Sequence, residues 1–147
     1  LSSAVFQAVS KSGHFKDLRV YYFHNCVYGR LYKDPMLLSR DSVTTDWVLS
    51  NIATDWKIIF VGDAQMAPYE LMGGYYGSGR KDGPQCGMDY LKLFRGRYPG
   101  CIWLNPSQRP QWGQYWSQTY DDIARLIPMF PLTVDGLEEG MKKLLAR

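Results

Sequence analysis

An aspartate stands directly after the most apolar run of the chain, in Lys57-Ile58-Ile59-Phe60-Val61-Gly62-Asp63. A carboxylate there, with threonine hydroxyls within reach, is hard-oxygen chemistry. It suits Mg2+ or Mn2+, which keep much of their water and take few protein ligands. The hydroxyls are those of Thr44 and Thr45, at the end of the polar stretch SRDSVTT over 39–45. Two further apolar runs end in polar groups, LRVYYF in His24-Asn25 and CIWL in Asn105. Zinc is disfavoured, because no Cys/His quartet has ligand spacing. Each candidate also has a plainer role. Asp63 is placed to cap the short helix opened by Pro68, and Thr44 or Thr45 to cap the helix that follows them. His24 and Cys26 suggest a thiol nucleophile with its base. They lie two residues apart at a strand end, so their side chains share a direction only while the strand continues. A histidine satisfied by backbone groups is the simpler expectation. The glycines of GGYYGSG over 73–79 lack the phosphate-loop pattern and predict a surface loop. Trp112 and Trp116, four apart, make either a partner site or a packed rim.

The elements that must position these residues follow from periodicity. Residues 2–12 read as a helix with Val5, Ala8 and Val9 on one stripe, stopped by Gly13. Leu18–Phe23 reads as a strand, and Val27–Tyr32 as a short edge strand before a turn at Lys33-Asp34-Pro35. A helix is predicted from Asp46 to Ala53. Lys57–Val61 is a strand apolar enough to be covered on both faces. Pro68 suits the first turn of a helix over PYELM. Residues 73–87 form the longest loop, and a helix runs from Met88 to Arg97. Cys101–Leu104 is a second buried strand. Thr119-x-x-Asp122 resembles a capping box for a helix over Asp121–Leu126. Met129–Thr133 is a last short strand. Asp135-x-x-Glu138 opens a terminal helix that buries Leu137, Met141, Leu144 and Leu145. Alternation of strands and helices predicts a single α/β domain over 1–147: a doubly wound, mostly parallel sheet with helices on both faces. In such sheets ligands bind outside the carboxyl ends of the strands. His24-Asn25, Thr44-Thr45, Asp63 and Asn105 all fall at that edge.

Composition narrows the class. With 147 residues, 46% hydrophobic, the chain can form a real core. The net charge of +3 comes from scattered residues and does not predict nucleic-acid binding. No apolar run approaches the roughly 20 residues of a membrane span. Three cysteines, Cys26, Cys86 and Cys101, form no disulfide framework and point to a reducing, cytoplasmic compartment.

Five segments carry a resemblance: HFKDLRVYYFHNCVY, SVTTDWVL, KIIFVGDAQMAPYEL, CIWLNP and FPLTVDGL. Together they resemble von Willebrand factor A-type (VWA) domains of the CoxE-like group, which are often encoded near MoxR-type AAA+ ATPases. The resemblance implies a Rossmann-like VWA fold and a metal-ion-dependent adhesion site (MIDAS). Such a site combines an Asp-x-Ser-x-Ser motif after the first strand, a threonine before a helix and an aspartate after a later strand. Asp63 matches the last of these. Thr45 matches the threonine best, with Thr44 the alternative. No Asp-x-Ser-x-Ser occurs in the chain. By the resemblance, that motif and the first strand would precede Leu1, leaving the domain incomplete at its amino end. The implied function is a non-enzymatic, Mg2+-dependent protein-interaction module working with a MoxR-type AAA+ ATPase. Two alternatives stand beside it: a metal-dependent hydrolase using Asp63 and His24, and a structural subunit with a vestigial metal site.

Overall fold

A computed structural model describes residues 7, 11, 16–36, 40–73, 82–111, 113–114, 116 and 117–146. The order of elements is β1 (Arg30–Tyr32), β2 (Ser42–Thr44), α1 (Thr45–Asn51), β3 (Ile58–Val61), α2 (Pro68–Met72), α3 (Gly87–Arg97), β4 (Cys101–Asn105), α4 (Ser117–Leu126), β5 (Met129–Pro131) and α5 (Val134–Leu145). β3, β4 and β5 form a parallel sheet in that order, and β1 and β2 form a separate antiparallel pair.

The sheet has helices on both faces, because successive side chains of a strand point to opposite sides. Phe60, Cys101, Trp103 and Met129 turn to one face. There they pack in one core with Val48 of α1, Leu91 and Phe94 of α3 and Ile123 of α4. Ile59, Val61, Ile102, Leu104 and Phe130 turn to the other face and meet Leu137, Met141 and Leu144 of α5. β4 is buried at all five positions, as a central strand covered twice must be. No helix among the described residues is long and apolar enough to cross a membrane.

Several elements differ from the sequence expectation. Residues 18–23 form no strand. Their single ladder contact is the bridge Tyr22↔Tyr32, and no strand pairing joins them to β3 among the described residues. A β-prone sequence becomes a strand only where a neighbour takes its backbone groups. Of the expected edge strand over 27–32, the last three residues form β1, paired with Ser42–Thr44 in what reads as polar loop. The helix predicted from Asp121 starts four residues earlier, at Ser117. Thr119 therefore lies inside it, and Asp122 pairs with Arg125. In α5 the cap is Thr133, whose hydroxyl accepts from Gly136 N–H at 3.0 Å. Leu145 is 37% exposed, not buried. Of the helix expected over 2–12, Gln7 and Lys11 are helical and the rest lies outside the described residues, as do Trp112 and most of the 73–87 loop.

Candidate functional site

The loop leaving β3 is fastened by buried side chains from two other elements. Trp103, in the neighbouring strand, donates its indole N–H to Gly62 O at 2.7 Å. A Cβ on residue 62 would sit 3.2 Å from the same indole, so glycine permits this close approach. Asn105, buried at the end of β4, donates Nδ2–H to Asp63 O at 2.8 Å, while its Oδ1 accepts from Ser107 N–H at 2.8 Å. Ala64 holds the left-handed conformation at φ 58°, which a residue with a Cβ adopts only when its surroundings over-determine it. Thr119 supplies part of that constraint. Its buried hydroxyl accepts from Met66 N–H at 3.3 Å. Its one proton faces the carbonyls of Ala64 and Met66, both at 3.2 Å, and of Trp116 at 3.0 Å.

The fastening displays one carboxylate. Asp63 is exposed. Its Oδ1 accepts from Gln65 N–H at 3.0 Å, and its Oδ2 takes no hydrogen bond among the described residues. Asp63 is therefore not the cap of the next helix. That N-cap is Ala67, whose N–H is bonded by the Glu70 carboxylate at 2.8 Å. α2 then leaves Tyr69 62% and Met72 56% exposed.

The other candidates separate. Thr44 is the N-cap of α1, its hydroxyl accepting from Trp47 N–H at 3.1 Å. Thr45 is fully buried, and its hydroxyl donates to Tyr28 O. Its lone pairs thus face the protein interior, and no hydrogen bond joins it to Asp63 among the described residues. His24 is exposed and its imidazole makes no hydrogen bond among those residues. It lines an open groove of about 380 Å³ with Asn25, Tyr28, Arg30, Tyr32 and Glu70. Asp63 does not line that groove. Asn25, at φ 58°, turns the chain there and donates to Glu70 Oε1 at 2.6 Å. Sequence reasoning passed over Glu70 as a junction. Its place three residues after Ala67 was the available signal, that of a carboxylate reaching back to a helix start.

No protein-family model, no curated protein and no solved structure matches this chain.

Two electrostatic facts bear on chemistry. Among the described residues, no three of His, Cys, Asp and Glu gather closely enough to hold a metal ion. A cation at this edge would therefore rely on Asp63 and water, an arrangement Mg2+ accepts. Burial also pushes the Cys26 thiol up to about 12 from its ordinary 9.0. Such a group stays protonated and unreactive at neutral pH, which removes the support for a Cys26 nucleophile activated by His24.

Burial likewise raises the Cys101 thiol to about 12. Both folded values lie above the unfolded one. Their stabilisation is therefore complete below pH 9 and is lost as pH rises through 9 toward 12. The melting temperature should accordingly fall steeply between pH 9 and 11, and less steeply in Cys101→Ala. All three cysteines are buried. Native protein at pH 8 should resist iodoacetamide, and denatured protein should take up three equivalents by mass spectrometry.

Proposed function

We propose that this chain is a VWA-type domain of the CoxE-like group, doubly wound in the Rossmann-like manner. In this reading it works as a protein-interaction module that docks through a cation held at Asp63. The observation that carries the reading is the display of Asp63. A carboxylate with one free oxygen sits on a loop whose backbone is fixed by Trp103, Asn105 and Thr119. Fixing a ligand before binding lowers the entropy cost of engaging a partner.

In this reading the Asp63 carboxylate would hold a hydrated Mg2+ or Mn2+. Thr45, buried and turned to Tyr28 O, would not reach that cation, which water would otherwise coordinate. A carboxylate of the partner would complete the coordination of such a cation. Tyr69 and Met72, exposed on the helix that follows, would offer apolar contact to the partner, since aromatic residues and methionine are enriched at interfaces. A MoxR-type AAA+ ATPase is the proposed partner, by resemblance alone. The function is one of binding, without covalent chemistry.

Calorimetric titration of Mg2+ into the wild type and Asp63→Ala tests this. Binding heat is expected for the wild type and none for the variant. Equal heats would remove Asp63 from the metal and overturn the proposal. Asp63 is the right residue to change, because Asp63→Ala leaves no buried group unpaired. Thr45→Val would instead remove the buried hydrogen bond to Tyr28 O, a bond worth about 0.5–1.5 kcal/mol in stability.

A further inference from the structure

The loop that carries Asp63 is fastened by α4, and α4 is itself held by an ion pair on its other side. We propose, on the reading of Asp63 as a cation site, that Arg109 and Asp121 are positioning residues for that site. Their pair holds α4 where Thr119 can fasten the Asp63 loop, and so sets how tightly the cation binds.

α4 stands between two loops and bonds to both. On one side is the loop leaving β3. Thr119 accepts from Met66 N–H at 3.3 Å and faces Ala64 O and Met66 O at 3.2 Å. On the other side is the loop leaving β4. Its Arg109 donates Nε–H to Asp121 Oδ1 at 3.1 Å and Nη2–H to Asp121 Oδ2 at 3.0 Å. Thr119 and Asp121 lie two residues apart in α4. At about 100° per residue, their side chains leave the helix roughly 200° apart. The helix is thus gripped from opposite sides, and turning about its axis breaks one hold or the other.

The two loops are also joined to each other. Asn105 donates to Asp63 O and accepts from Ser107 N–H, two residues before Arg109. With the intervening backbone, Asp63, Asn105, Arg109, Asp121 and Thr119 close a ring around the start of α4.

That start has little to fix it on its own. The N-cap is Trp116, which makes no side-chain cap bond, and the first turn holds no acid to meet the positive end of the helix. The Thr119 contacts to the Asp63 loop are long, where O–H bonds usually measure about 2.7–2.8 Å. Withdrawing α4 by about 0.5 Å would take them out of bonding range. A binding site must hold its ligating atoms to roughly that tolerance. Surface ion pairs as a rule contribute little. This one is bidentate, which adds a fixed geometry to the attraction.

The test compares the whole chain as wild type, Arg109→Gln, Asp121→Asn and the exchanged pair Arg109→Asp with Asp121→Arg. The two side chains are 54% and 24% exposed, so none of these changes opens the core. Amide exchange at Met66 reads the hold on the loop without metal. It should quicken about threefold to fivefold in each single variant, while Gly136, bonded to Thr133 at the far helix, stays unchanged. The Kd for Mg2+ should rise by a similar factor in the single variants and recover in the exchanged pair. A purely structural pair would lower the urea midpoint and leave that Kd alone. Unchanged exchange at Met66, an unchanged Kd, or a loss that the exchanged pair does not reduce would each overturn the positioning role. Wild-type protein that binds no Mg2+ would overturn the function proposed above, and this role with it.

Discussion

A Trp103→Ala protein is expected to lose about 3–5 kcal/mol of stability, the usual cost of emptying a buried aromatic site. Trp103 is fully buried and stacks on Phe60 at 5.3 Å, with Phe23 edge-on at 6.4 Å. Its indole also holds Gly62 O. Trp103→Phe separates the two contributions. The ring remains, but Gly62 O loses its donor beneath the candidate site, at a cost of about 1–3 kcal/mol. Urea unfolding of both variants measures the difference. Equal losses would show that packing contributes nothing beyond the hydrogen bond. On the function proposed above, the phenylalanine variant should also bind Mg2+ more weakly than the wild type while remaining folded, because the residue before Asp63 is no longer fixed.

Gly136→Ala is expected to be the most damaging of the small substitutions. A Cβ there would stand 2.0 Å from Pro131 O and 2.7 Å from Pro131 Cγ. The first obstacle is backbone and cannot rotate aside, so the junction of β5 with α5 must open. Overpacking typically costs about 1–3 kcal/mol, and a backbone clash belongs at or above the top of that range. Gly96→Ala provides the control. Gly96 is exposed in α3, and nothing lies within 4 Å of an added Cβ. Alanine there should add at most roughly 0.5–1 kcal/mol, because Gly96 lies in the last turn of the helix and alanine removes glycine's extra unfolded-state freedom. Thermal unfolding should move the two variants in opposite directions. A shared direction would contradict the packing described at Pro131.

The strands around the candidate site were legible because they are locally extreme. Ile58–Val61 and Cys101–Asn105 are apolar runs bounded by polar punctuation, and each lies within a residue of its expected limits. Pro68 opened its helix where proline belongs. Residues 18–23 misled for the opposite reason. Their composition is that of a strand, but strand formation depends on neighbours that composition does not encode. Thr119 misled too. A threonine three residues before an acid fits a cap, but here its hydroxyl is spent on Ala64 and Met66, some 55 and 53 residues away in sequence.

The sequence by itself determined where two apolar strands run, that strands and helices alternate, and that Asp63 follows the first of those strands at its carboxyl end. Those are properties of neighbouring residues and their periodicity. Of the two strands, only Cys101–Asn105 is buried throughout, while in Ile58–Val61 Phe60 alone is buried. Tertiary structure decided what each polar group at that edge does. Asn105 became a brace for Asp63, Thr44 a helix cap, and Thr45 a buried donor to Tyr28, while Asp63 kept an exposed carboxylate with one oxygen unbonded among the described residues. The reason is physical. A polar side chain at a strand end must bond to whatever the fold brings within about 3 Å, and those partners lie tens of residues away along the chain.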